Sequence, residues 1–190
     1  MKVVRVTDGN TLVLEGGQEV HLIGVNAPSP YEAYESLSEE EQIRKHEMGR
    51  KAKDFLKFLV EGKPVRLELE PMHAKAFKHK DLQGRILSYV WFTTPVFQRP
   101  PDWLVMDPSI ETGRFDAFLN ASIIRAGYAQ TEMGWPFNYA QKFLALQDEA
   151  QNAKRGIWGD EDAEGQEAQP QTEAGMTDKP TIQAERTKEE

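Results

Sequence analysis

Val20-His21-Leu22-Ile23-Gly24-Val25-Asn26-Ala27-Pro28-Ser29-Pro30-Tyr31 is the stretch from which the rest of the chain is read. Leu22, Ile23 and Val25 form an apolar strand that enters a core. Gly24 interrupts it, and Pro28 and Pro30 end it, because proline cannot donate to a strand ladder. A strand stopping at Asn-Ala-Pro delivers polar side chains to a rim, where binding and catalytic groups are commonly placed. An ordinary strand running into a proline-rich turn would read the same way, so the flanking sequence has to decide.

Upstream, Lys2 to Thr7 alternates Val4 and Val6 against Arg5 and Thr7, a strand pattern. Asp8-Gly9-Asn10 is a turn, Thr11 to Glu15 a second strand, and Gly16-Gly17 closes a hairpin onto the third strand, Glu19 to Val25. Downstream, Ser38 followed by Glu41 predicts a capping box, since hydroxyl and carboxylate reciprocally satisfy free backbone donors. Met48, Ala52, Phe55, Leu56 and Leu59 then fall on one helical face, and Gly62 suits the helix end. Val65 to Leu69 is the fourth strand and Ile86 to Phe92 the fifth, separated by a lysine-rich loop and the turn Asp81-Leu82-Gln83-Gly84-Arg85. Asp116 is placed to cap a short helix through Ala126. Pro136 starts a last helix with Tyr139, Phe143, Leu146, Ala150 and Ala153 on one side, and Ile157 and Trp158 fold back as an apolar plug. The segment 93–112, rich in proline and aromatics, reads as an extended connection or an extra hairpin, with Pro95 to Phe97 pairing near Leu104 to Met106.

These elements predict an α+β domain over 1–159: a five-stranded antiparallel Greek-key barrel of OB type, with one helix between the third and fourth strands and two after the fifth. Residues 160–190 lack apolar periodicity and are expected to form a disordered tail.

Charge is uneven. The 190 residues carry a net charge of −8. Residues 161–190 hold 9 acidic and 3 basic residues, a net of −6, and the remaining 22 acidic and 20 basic residues leave the barrel region at −2. The barrel has no overall basic footprint for phosphate. No run of about 18 apolar residues predicts a membrane span. Zero cysteines exclude disulfides and thiolate metal sites. No leader precedes the first strand, which suits a cytoplasmic chain if this is the whole protein and a secreted one if a leader has been removed.

Five motifs, in order from residue 2 to 158, resemble the staphylococcal (thermonuclease-type) nuclease domain. They are Asp8-Gly9-Asn10-Thr11, His21 through Ser29, Asp81-Leu82-Gln83-Gly84-Arg85, Leu119-Asn120 through Gly127-Tyr128-Ala129, and Gly156-Ile157-Trp158. The resemblance implies an OB-type barrel and Ca²⁺-dependent phosphodiester hydrolysis, in which carboxylates hold the metal, a glutamate activates water and two arginines hold the phosphate. Carried over residue by residue, the two metal aspartates fall on Asn10 and Asn26, the carbonyl ligand on Ala27, the glutamate base on Ser29 and the first arginine on His21. Arg85 and the outer acid Asp8 match the family pattern. Two negative charges, a base and a bidentate guanidinium are thereby replaced by amides, a hydroxyl and an imidazole.

Three functions follow as expectations. One is a catalytically silent or very weak barrel, without a cofactor, that binds a single-stranded nucleic acid or a protein. For nucleic acid the expected contacts are Lys75, Lys78, Lys80, Arg85 and stacking by Tyr31 and Trp135. A second is a divergent Ca²⁺-dependent nuclease using Asp8, Arg85 and a glutamate recruited from Glu32 or Glu35. A third is an interaction protein that meets a partner through 93–112. A His21–Ser29 pair could also suggest hydrolase chemistry, although no acid is evident to orient the histidine.

Overall fold

The computed structural model of the chain describes residues 1–72, 79–94, 100–111 and 113–159. Within them β1 (Val3–Asp8), β2 (Thr11–Leu14) and β3 (Glu19–Leu22) form the expected antiparallel meander. The chain then passes through β4 (Val25–Asn26), α1 (Glu39–Val60), β5 (Val65–Glu68), β6 (Ile86–Phe92), β7 (Ala117–Phe118), α2 (Leu119–Arg125), β8 (Gln130–Thr131) and α3 (Ala140–Asn152), ending in a single 3₁₀ turn, Gly156–Trp158.

The sheet order is β1-β2-β3-β6-β5. Backbone bonds between residues 1–3 and 62–65 bring β5 back to β1: Val3 N–H donates to Lys63 O at 3.0 Å and Val65 N–H to Met1 O at 2.7 Å. That closure leaves the barrel without a long open edge. It is the OB-type barrel the sequence predicts, with one correction. The ladder between β3 and β6 is parallel, Val20 facing Ile86, His21 facing Leu87 and Leu22 facing Ser88. An all-antiparallel barrel is therefore wrong at this junction, because α1 and β5 intervene and return the chain in the same direction as β3.

The third strand is also split. Gly24 takes φ +71, and a Cβ there would lie 2.6 Å from the Phe137 ring. The chain turns at this point, so Val25–Asn26 pairs with β8 instead of continuing β3. In β1 a register shift lies between Val3 and Arg5, so Val3 and Val6 are buried and Val4 faces solvent. Simple alternation failed there because a bulge advances the side-chain phase by one residue.

Helix α1 begins as expected. The Ser38 N–H donates to Glu41 Oε2 at 2.9 Å and the Glu41 N–H to Ser38 Oγ at 3.3 Å. Ala52, Leu56 and Leu59 are fully buried. Strand β5 stops at Glu68, with Leu69 half exposed and Glu70 turned inward, where its carboxylate accepts from Met72 N–H, Asn138 N–H and Tyr89 Oη. The expected start of the last helix at Pro136 is corrected to Ala140. Phe137 is drawn into the core beside Phe143, and Glu70 takes the Asn138 N–H, so helix geometry begins only after them.

Asp116 does not cap α2. Its buried carboxylate accepts from Thr94 N–H at 2.9 Å and Gly113 N–H at 3.1 Å, and Phe118 occupies the cap position without a side-chain bond. Val105 O accepts from Phe118 N–H, and Leu104 and Val105 are buried, which removes these two residues from any exposed partner surface in 93–112. Ile157 N–H donates to Gly127 O, so the C-terminal turn does fold back, half buried. Lys75, Lys78, the pairing segment Pro95 to Phe97 and the tail 160–190 lie outside the described residues.

Candidate functional site

The β1–β2 turn, β3 and the start of β6 meet at one rim of the barrel. Sheet register explains which side chains gather there. Thr11 pairs with His21 across β2 and β3, and His21 pairs with Leu87 across β3 and β6, two residues beyond Arg85. Three segments far apart in sequence thus place Thr11, His21 and Arg85 side by side.

Thr11 is the hub, only 2% exposed. Its Oγ1 donates to Asn10 Oδ1 at 3.1 Å, accepts from Arg85 Nη1 at 3.3 Å and lies 3.4 Å from His21 Nδ1. Asn10 Nδ2 donates to Val25 O at 3.2 Å, and the Asn10 N–H donates to Asp8 Oδ1 at 3.0 Å. Arg85 is held from behind: its Nε donates to Asp81 Oδ2 at 2.6 Å and its backbone N–H to Asp81 Oδ1 at 2.9 Å. Burial alone would raise the Asp81 carboxyl, but the hydrogen bonds and charge of Arg85 outweigh it and hold it below the usual carboxylate range. A fork fixed at one edge is a better anion receptor than a free one, since less side-chain freedom is lost on binding.

The His21 pKa lies below the ordinary histidine value. Burial lowers its pKa and the Arg85 charge lowers it further, with Asp8 and Asp81 opposing. Both effects favour the neutral ring.

Beside this cluster a pocket of 450 Å³ opens, lined by His21, Lys80, Arg85, Leu87, Trp135 and Phe137 among others. Its walls are mainly apolar. Trp135 is 62% exposed, and Leu82 at the lip is fully exposed. A slot of this kind pairs cationic heads with a flat aromatic face.

Of the residues singled out from sequence, the structure brings Asp8, Asn10, His21 and Arg85 into one neighbourhood, with Lys80 and Trp135 on the pocket wall. Asn26 lies on β4 with its side chain exposed. Ser29 serves a turn: its Oγ accepts from Tyr31 N–H at 3.2 Å, and its backbone is held by Tyr34 Oη. The His21–Ser29 pairing is therefore corrected, since His21 faces Thr11. Tyr31 is outside the pocket lining; its hydroxyl accepts from Lys53 Nζ at 2.6 Å on the α1 side. Glu32 and Glu35 are exposed and also outside that lining. Among the described residues no three His, Asp or Glu side chains converge as metal ligands.

Sequence reasoning missed Thr11, Asp81 and Phe137 as site residues. The first two stand inside motifs already quoted, but their importance lies in contacts across strands. A family model described as staphylococcal nuclease homologue matches residues 19–160. The chain belongs to this nuclease family. It is 26% identical over 161 residues to a thermonuclease of Staphylococcus hyicus, covering 83% of this chain and 74% of that protein. It is 28% identical over 162 residues to an uncharacterized endonuclease of Escherichia coli, covering 85% and 78%. Endonuclease YhcR of Bacillus subtilis (strain 168) matches at 27% over 168 residues, 84% of this chain but 11% of that much longer relative.

Proposed function

We propose that this nuclease-family barrel binds a single strand of nucleic acid at the Arg85 rim, and that the Ca²⁺-assisted cleavage expected of its family is absent or very weak. The observation that carries the reading is Arg85 itself. Its guanidinium is clamped by Asp81 and Thr11 at the mouth of a pocket whose wall ends in exposed Trp135. Arginine and lysine heads take phosphate, and an aromatic face takes a base, which together suit a strand with unpaired bases.

The donor set does not fit a Ca²⁺ ion. Calcium takes six to eight oxygens, with affinity set largely by ligand charge. Here the family's ligand positions keep one carboxylate, Asp8, which already accepts from the Asn10 N–H, and the nearby Asp81 carboxylate is taken up by Arg85. The Asn10 amide is spent on Val25 and Thr11, and Asn26 offers only a neutral, exposed amide. Ser29, at the position of the family's base, is a turn hydroxyl.

The test is fluorescence anisotropy with labelled single-stranded RNA and DNA across a salt series, beside calorimetry with Ca²⁺. Arg85→Ala should weaken binding and flatten the log–log salt slope by about 0.7 for each phosphate the variant no longer neutralises. Unchanged affinity and slope, or chelator-sensitive cleavage by the wild-type chain, would overturn the reading.

A further inference from the structure

The hydrogen bonds around Thr11 have only one consistent set of donors and acceptors. Asn10 lies between the Val25 carbonyl and the Thr11 hydroxyl. Its nitrogen must face Val25, because the reverse orientation sets two oxygens against each other. Asn10 Oδ1 therefore faces Thr11 and can only accept. Thr11 has a single hydroxyl proton, which goes to Asn10. Its two lone pairs are left for Arg85 Nη1–H and His21 Nδ1. His21 must then carry its proton on Nδ1, which leaves Nε2 as the unprotonated nitrogen of a residue that lines the pocket.

An aspartate at position 10 could not donate to Val25. The amide at 10 and the imidazole at 21 belong to one polarised chain, Val25 O to Asn10 to Thr11 to His21. Burial makes that chain firm: Val25 is fully buried and Thr11 almost so. The departures from the family pattern at these two positions thus fit one another chemically.

We infer that the site cleaves RNA without a metal, His21 Nε2 acting as general base toward the ribose 2′-hydroxyl and Arg85 holding the phosphoryl oxygens. The inference rests on the strand-binding reading above and adds a substrate class and a reaction. His21 Nε2 takes the 2′-OH proton as the 2′ oxygen bonds to phosphorus. The bond from phosphorus to the 5′ oxygen breaks, and that oxygen leaves with a proton from water. The imidazolium returns its proton to the hydroxide so formed. The products are a 2′,3′-cyclic phosphate and a 5′-hydroxyl, with no net proton change. DNA lacks the 2′-hydroxyl and is bound but not cut. His21 is the catalytic base; Thr11 and Asn10 are positioning residues that set its tautomer.

The charged groups that act on the His21 ring are Arg85, Asp8 and Asp81, and Lys80 and Glu132 stand on the wall of the pocket it lines. Because burial and the Arg85 charge lower the His21 pKa from its ordinary 6.5, cleavage should rise with pH through a midpoint below that value and then level off.

The experiment uses the full chain in excess chelator, with a labelled RNA oligonucleotide and the same oligonucleotide bearing 2′-deoxyribose throughout. Anisotropy records binding, and mass spectrometry records the ends. The expected result is that both strands bind and only the RNA is cut, leaving cyclic phosphate. His21→Ala purified alongside should lose about 10²-fold or more in rate, the usual worth of a general base. Asn10→Asp keeps an acceptor for Thr11 but adds a negative charge, and should move the pH midpoint upward. Binding of both strands with no cleavage overturns this inference and leaves strand binding intact. Binding of neither overturns both. Cleavage that survives His21→Ala, or an Asn10→Asp profile that does not move, refutes the assigned roles.

Discussion

Asn120 offers the sharpest test of how this barrel is held together. The residue is fully buried. Its Oδ1 accepts from Val90 N–H at 2.9 Å, and its Nδ2 donates to Ile23 O at 3.0 Å and Ser88 O at 3.3 Å. One side chain on α2 thus joins the end of β3 to the middle of β6. Asn120→Ala removes all three bonds. Ser88 O keeps the Ile23 N–H at 3.1 Å, so Val90 N–H and Ile23 C=O are the groups left without this partner. An unsatisfied buried polar group costs about 1–3 kcal/mol. The two together cost about 2–6 kcal/mol, a large part of the roughly 5–15 kcal/mol that holds a typical domain. With a urea slope near 2 kcal/mol/M, a loss of about 4 kcal/mol moves the midpoint down by about 2 M. Tryptophan fluorescence reports the transition. Asn120→Asp should be at least as damaging, since a carboxylate oxygen would replace the amide donor in front of two carbonyls. A loss below about 1 kcal/mol for either variant would show that water or a backbone shift re-pairs these groups, and the reasoning would fail.

Two further outcomes follow from the described geometry. Gly127 has φ +80, and a Cβ there would lie 2.2 Å from Arg155 O, whereas Gly17 at φ +84 has nothing within 4 Å. Gly17→Ala should cost only backbone strain, of order 1–2 kcal/mol. Gly127→Ala should cost clearly more and loosen the Gly156–Trp158 turn, read as a larger fall in Tm; equal falls would refute the packing argument. For His21, the folded pKa lies below 6.5 through burial and the Arg85 charge. The unfolded chain therefore binds the proton more readily, and stability is present above about 6.5 and falls as pH drops through and below that value. His21→Gln should flatten the pH dependence of the urea midpoint between 7 and that lowered pKa, and an unchanged slope would count against a buried, neutral ring.

Much of the fold was legible because it is local. The Asp8-Gly9-Asn10 turn, the Ser38–Glu41 box and the helical spacing of Ala52, Leu56 and Leu59 all rest on contacts within a few residues, and all appear. Where reading failed, the reason was distant. Alternation in β1 misplaced Val4, because a bulge is set by the partner strand. Asp116 looked like a helix cap, but the Thr94 and Gly113 N–H groups claimed it.

The sequence by itself determined the order of the five barrel strands and the three helices, the break at Gly24 and the chemical identity of the groups at positions 8, 10, 21 and 85. Those depend on backbone preference and on the residues present, which no folding event alters. Only the tertiary structure decided that β3 and β6 run parallel, that Thr11 joins Asn10, His21 and Arg85, and that Ser29 serves a turn. Register between strands so far apart in the chain is chosen by burial of the whole barrel. The direction of a hydrogen bond is then chosen by whichever donors and acceptors that register leaves facing each other.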